Sequence, residues 1–488
     1  MSDTLPFAAL VLVVAVVGLL AVLSNRLTER IKVPAPLLVL VAAAVAVNVV
    51  PDLHQPSGVL VERLVTIALI CILFDGGLHM GWPKFRAAAG PIAILGVLGT
   101  FLTVAAAAVL IHLLFGLAWY LALLVATAIS PTDPAVVFSV LGQREVSGRS
   151  GTILEGESGA NDPVGIALMV SLITAGELSA GAFGHIAGEF ALQMVVGGVV
   201  GVVGGRAMLW FMRSLPLPGE GLYPLRSAAC ALIVFAVATL AHGSGFLAVF
   251  AAGILIGEAR APYKLEIERF HSALASLGEI VAFTMLGLTV DLAQLTHSDV
   301  WVPGIVIGVV LAFVIRPVLV GLCLVPARLK RNERNFVLFA GLKGAVPILL
   351  GSFLLAAHVP QAERLYGIVV VVVVFSVLVQ GSFVPTVARL LHLPMRSLTP
   401  GPWAVGVRLR DEPEGVHRLT ITAGALADGH RIDELHALPE DAWISLVVRD
   451  NRLLHVRGDS RLEAGDEILV VAEPGSHEQL VATFLTAQ

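Results

Sequence analysis

The chain predicts an all-α polytopic membrane protein of about thirteen transmembrane helices, followed by a small cytoplasmic α+β domain at its carboxyl end. Three observations carry that fold class. The 488 residues are 57% hydrophobic and only 14% charged, with a mean hydropathy of +0.89, whereas a soluble chain is roughly a quarter charged. Apolar runs near the ~20 residues that cross a bilayer core recur along the first four fifths of the chain. Near Pro400-Gly401-Pro402 the pattern changes: residues 1–403 hold 23 Lys+Arg against 21 Asp+Glu, and residues 404–488 hold 8 Arg, no Lys and 15 Asp+Glu in short alternating stretches. The expected organisation is a membrane domain over 1–395, a linker over 396–403 and a tail domain over 404–488.

The expected spans are 6–23, 34–50, 63–80, 89–115, 118–141, 151–174, 187–212, 227–242, 245–258, 276–291, 302–326, 335–358 and 364–392. Met1-Ser2-Asp3 supplies no basic region before the first run, which therefore reads as a spanning helix and not as a cleaved signal peptide. Alternate connections sort by charge. One set, from Arg26 and Lys32 to Arg389 and Arg396, holds eighteen Lys and Arg, and the other holds only Arg63 and Arg364. By the positive-inside rule the first set is cytoplasmic, which puts the amino terminus outside and the tail inside a cell membrane. Cys71, Cys230 and Cys323 lie in apolar runs and suggest neither a disulfide framework nor a thiolate metal site. Beyond the lipid bilayer, no cofactor and no nucleic-acid partner is expected.

At membrane depth the ionisable residues are Asp75, Asp133, Glu155, Glu157, Asp162, Glu279, Arg316 and Lys343. Such groups are costly in hydrocarbon and persist where they are paired, hydrated or line an ion path. The densest cluster is Gly156-Glu157-Ser158-Gly159-Ala160-Asn161-Asp162-Pro163, inside an otherwise apolar span. Two further spans are interrupted. Ser130-Pro131-Thr132-Asp133-Pro134 and Gly341-Leu342-Lys343-Gly344-Ala345-Val346-Pro347 each combine prolines or glycines that break a helix. Half-helix ends carry partial charges, which Asp133 and Lys343 are placed to offset. Breaks at matching places in two halves point to a transporter site at an inverted-repeat interface. Here spans 1–6 and 8–13 would be the repeats.

On these residues the chain resembles the electroneutral NhaP-like branch of the monovalent cation:proton antiporters. The pieces that carry the likeness are Phe74-Asp75-Gly76-Gly77-Leu78, the two interrupted stretches, Gly156-Glu157-Ser158-Gly159-Ala160-Asn161-Asp162, Gly245-Phe246-Leu247-Ala248-Val249-Phe250 and Arg316-Pro317. The resemblance implies an NhaA-like fold, a homodimer, and a mobile six-helix bundle of spans 4–6 and 11–13 that carries one potassium or sodium ion, or a proton, past a fixed domain. It implies that Asp162 binds the ion or the proton and that Asn161 replaces a second aspartate of the electrogenic branch, giving one-for-one exchange. Ser158 matches a hydroxyl ligand and Thr132 a backbone-carbonyl ligand. Asp75 stands where relatives often carry a longer glutamate near the ion. Glu157 matches an acid paired with a base of the second repeat, for which Arg316 and Lys343 are both candidates. Lys343 departs from the usual arginine, so a bidentate fork would be lost there.

Plainer roles stand beside these. Asp133, Lys343 and the Glu157 pair read first as structural compensators. Ser158 could bond its own helix, Glu155 could lie at a solvated mouth, Glu279 reads as a capped helix charge, and His112 and His242 read as packing residues. In the tail, Leu419–Thr422, Trp443–Val448 and Glu467–Val471 alternate as strands, Asp441–Val456 reads as a hairpin turning at Arg449-Asp450-Asn451-Arg452, and Ser476 onward as a helix. This resembles the TrkA carboxy-terminal domain, which implies a dimerising module with a regulatory ligand or a passive clamp. The tail has no Gly-rich phosphate loop, so no nucleotide is assigned. Two rivals fit less. An intramembrane serine protease explains Gly156-Glu157-Ser158-Gly159 but not Asn161-Asp162 or the broken helices. A potassium channel or uptake protein with such a tail lacks a Thr-Val-Gly-Tyr-Gly filter.

Overall fold

The computed structural model describes residues 35–393, 395–397 and 415–485, apart from short stretches at 50–55, 142–143, 147–148, 178–179, 258, 260, 296–297, 328, 436–437, 440–441 and 450–451, and also Leu19. The expected span 6–23 and most of the linker 396–403 lie outside the described residues, as does the turn Asp450-Asn451. Two compact units result, residues 1–398 and 399–488.

The first unit is helical. Its principal helices are α1 (Ala35–Val49), α2 (Gly58–Ala93), α3 (Thr100–Phe115), α4 (Trp119–Ala128), α5 (Pro134–Leu141), α6 (Arg149–Ala175), α7 (Ala180–Ser214), α8 (Leu222–Leu240), α9 (Gly245–Gly257), α10 (Lys264–Gly287), α11 (Ser298–Val310), α12 (Arg331–Phe339), α13 (Ala345–Ala356), α14 (Ala362–Phe375) and α15 (Ser382–Leu390). Among the described residues, six helical stretches are long and apolar enough to cross a membrane, and further apolar helices of 10–17 residues accompany them. The stretch 81–88, expected as a connection, is helical. The chain turns only at Gly81, whose φ of 60° suits a residue without Cβ, and Pro83 then re-enters the helix near its first turn. Span 276–291 begins earlier than expected, at Lys264, because Glu266, Glu268 and Arg269 are tolerated on a helix end that reaches past the apolar layer.

Small residues set the packing. Gly77 of α2 and Gly253 of α9 face one another so closely that a Cβ on Gly77 would stand 2.5 Å from the Phe250 carbonyl. This close approach replaces the hydrophobic drive that lipid does not supply. Arg226, one of the eighteen Lys and Arg of the expected cytoplasmic set, is buried. It donates to the Leu215 carbonyl at 2.6 Å and the Met212 carbonyl at 3.3 Å, and so caps the end of α7. A feature not expected from sequence is a short antiparallel pair, β1 (Arg144–Val146) with β2 (Met395–Ser397).

The second unit is a four-stranded antiparallel sheet in the order β3 (Val416–Thr420), β6 (Glu467–Val471), β4 (Trp443–Arg449), β5 (Arg452–Leu454), with helix α16 (His477–Phe484). Alternation puts Leu419, Ile444, Val447, Ile468 and Val470 into a core closed by Leu480 and Phe484. Asp466, fully buried, accepts from Arg449 Nε at 2.7 Å and Nη2 at 2.8 Å and from the Glu463 amide at 2.8 Å.

Candidate functional site at the helix crossing

Two helices of the membrane unit lose their hydrogen-bonding at mid-course, over residues 130–133 between α4 and α5 and over 341–344 between α12 and α13. Proline explains the first. Pro131 and Pro134 lack amide donors, and Pro134 restarts the helix at its first position. Glycines 341 and 344 open the second. The breaks meet: the Asp133 amide donates to the Leu342 carbonyl at 2.8 Å, and the Asp133 carboxylate lies where a Cβ on Gly344 would stand. The acid is thus beside the N-termini of α5 and α13. Lys343 Nζ donates to the Ser130 carbonyl at 2.8 Å, just past the C-terminus of α4. Anion at N-termini and cation at a C-terminus is the favourable arrangement for the helix dipoles.

Helix α6 presents its polar cluster to this crossing. Asn161 Nδ2 donates to Thr132 Oγ1 at 2.8 Å, and its Oδ1 accepts from the Thr132 amide at 3.4 Å. The side-chain amide therefore clamps the unwound stretch. Asp162, one residue on, is buried; its Oδ2 accepts from Ser158 Oγ at 3.4 Å, and its Oδ1 is sealed from solvent without a hydrogen-bond partner. Pro163 lacks the amide donor that would bond the Gly159 carbonyl one turn earlier. An unpartnered carboxylate oxygen with a hydroxyl beside it is the oxygen chemistry that suits a hard cation, and the same carboxylate can take a proton instead.

Of the two bases left open by sequence, Arg316 is the partner of Glu157. Nη1 and Nη2 reach Oε1 and Oε2 at 2.7 and 3.0 Å, and the guanidinium also donates to the Leu338 and Val337 carbonyls at 3.0 and 3.1 Å. All three guanidinium nitrogens and both carboxylate oxygens of that buried pair are engaged, as a buried ion pair requires. Arg316 lies in a π-helical stretch, Leu311–Val320, and two others, Ile94–Gly99 and Ser376–Gly381, accompany it. All three line a polar cavity behind the crossing that also touches Ser130, Glu157, Asn161 and Lys343. Such bulges are frequent at functional sites.

With this geometry in view, comparison with known proteins identifies the chain. It matches the transmembrane sodium/hydrogen exchanger family over residues 12–390 and the TrkA-C domain over 416–485. The chain belongs to the sodium/hydrogen exchanger family. It is 32% identical to a K(+)/H(+) antiporter NhaP of Alkalimonas amylolytica, covering 95% of this chain and 81% of that one. It is also 32% identical to a K(+)/H(+) antiporter NhaP2 of Shewanella oneidensis, over 98% and 83%. A Na(+)/H(+) antiporter NhaH of Halobacillus aidingensis is 27% identical over 73% and 91%. The fold is similar to that of the sodium proton antiporter MjNhaP1 from Methanocaldococcus jannaschii, with a TM-score of 0.65 and 20% identity, covering 76% of this chain and 99% of that one. The chain is thus a helical, membrane-spanning exchanger with a small carboxyl-terminal sheet domain, a transporter and not an enzyme.

Not every expected residue joins this cluster. Asp75 accepts from Ser272 Oγ at 3.0 Å and stands 3.3 Å from His79 Nδ1, and neither partner belongs to the Asp162 cluster. Glu279 is not capped: its Oε1 is sealed and accepts no hydrogen bond. His112 holds the Leu117 carbonyl at 2.7 Å and stacks on Trp119, a packing role. Two residues were missed. Ser376 Oγ accepts from the Lys343 amide at 3.1 Å and donates to Gln380 Oε1, while Gln380 Nε2 caps the Phe339 carbonyl at 2.5 Å. A search restricted to ionisable groups passes over them; a serine and a glutamine four apart in an apolar run were the available signal.

Proposed function

We propose that this protein exchanges a monovalent cation, potassium or sodium, for a proton across the cell membrane, one for one, by alternating access, with cation and proton competing for Asp162. The observation that carries the reading is the sealed Oδ1 of Asp162, unpartnered beside Ser158 and the unwound Thr132 stretch. A lone ionised carboxylate at membrane depth is too costly to keep, so it is neutralised by whichever positive species arrives. Glu157 and Arg316 neutralise each other, and among the described residues no ion pair holds Asp162. Asn161 supplies no second charge, hence one proton per cation. The names of the K(+)/H(+) relatives favour potassium.

On this reading residues 1–395 form the exchanger domain of about thirteen helices with inverted repeats, the amino terminus is outside, and 404–488 is a cytoplasmic regulatory domain after a short linker. The protein works as a homodimer in pH and cation homeostasis. The test is proton flux in everted vesicles challenged in turn with potassium, sodium, rubidium and lithium. Cation-driven flux that generates no membrane potential is expected, and Asp162→Asn abolishes it while the protein is still inserted. Retained flux in that variant refutes the assignment of Asp162, and a potential-generating cation current in the wild type points to a channel instead.

A further inference from the structure

Helix α10 carries two acidic stations. Near its Lys264 end, Ser272 holds the carboxylate of Asp75, which reaches over from α2. Glu279 follows on α10 seven residues later, two turns and about 10 Å further along the axis. Its Oε1 is sealed from solvent, accepts no hydrogen bond, and the residue has no ion pair among the described residues. Helix α10 packs against α13, the helix that begins at the crossing. Gly278 beside it is pressed onto the backbone of Ala68, so this part of α10 is fixed against α2. Nothing in that packing explains an acid. An apolar side chain there would cost less than a half-buried carboxyl with one oxygen sealed and no base beside it.

We propose that two fixed acids receive the transported cation in turn, Asp75 with Ser272 on the cytoplasmic side of the path and Glu279 on the extracellular side. The inference rests on the exchange reading above, in which the bundle bearing Asp162 moves past α2 and α10. In each end state Asp162 and its cation then meet a different fixed carboxylate. The side follows from direction: α10 enters from the Lys264 and Arg269 end, which the charge asymmetry makes cytoplasmic.

The experiment uses the full chain in vesicles of both orientations, with KM for potassium measured at each face. Glu279→Gln is expected to raise the extracellular KM about tenfold and to leave the cytoplasmic KM within about twofold, the loss of one charge-assisted contact. Asp75→Asn is expected to do the reverse, and Glu279→Asp to recover part of the extracellular loss. If Glu279→Gln does not insert, Glu279→Asp alone still reads the sided change. Equal changes at both faces, or none at either, overturn the proposal while leaving the exchange reading in place. Wild-type vesicles without exchange would overturn that reading instead.

Discussion

At the scale of single residues, the site separates charge that is satisfied from charge that is left open. Glu157 and Arg316 complete one another, and the arginine also ties down the Val337 and Leu338 carbonyls. Replacing Arg316 by Gln leaves a buried carboxylate unpaired, and the expected cost is about 3–5 kcal/mol, readable as a lowered melting temperature of the purified protein in detergent. Arg316→Lys keeps the charge but loses the fork and falls between. Asn161 is different in kind, because its amide is spent on Thr132. Asn161→Ala removes two hydrogen bonds to the unwound stretch without unpairing a charge. The expected result is a folded protein with weakened cation dependence, a rise of about tenfold in KM, measured by proton flux over a potassium series.

At the scale of elements, glycine decides where helices approach and where they break. A Cβ on Gly344 would collide with the Asp133 carboxylate, and one on Gly159 would enter the ring of Phe250, whereas Gly76 faces open space. Gly344→Ala and Gly159→Ala are therefore expected to lower the melting temperature and impair exchange, and Gly76→Ala to be neutral or slightly stabilising, since alanine favours the helix by about 1 kcal/mol. A melting series of the three variants checks the order. In the tail, Asp466 pins Arg449 of β4 to the turn before β6. Asp466→Asn is expected to cost about 1.5–3 kcal/mol, seen as faster hydrogen exchange of residues 443–471 in the full-length protein.

At the scale of the molecule, the two units have separate hydrophobic cores, one built from the membrane helices and one from the tail sheet with α16. A chain ending at Leu398 is therefore expected to insert and to exchange, with any change confined to its response to conditions. Flux in vesicles carrying that truncation is the check, and an inactive but inserted truncation would make the tail part of the exchange machinery. Within the membrane unit, the β1–β2 pair joins the loop that precedes α6 to the strand that leads out toward the tail.

Much of this was legible along the chain because lipid imposes strong local rules. Apolar length marked the chain as helical and membrane-spanning, proline and glycine located both interruptions, and the rarity of buried charge singled out Asp162, Glu157, Arg316 and Lys343. The tail strands followed from period-two alternation. What only the tertiary structure decided are choices between partners distant in sequence: Glu157 with Arg316 and not Lys343, Asp75 with Ser272, Asp133 against Gly344, Ser376 beneath Lys343. Local patterning records the cost of putting a charge or a break in the membrane. Which group offsets that cost depends on helix rotation and crossing, and those are set by interdigitated small residues whose contacts no linear spacing reveals.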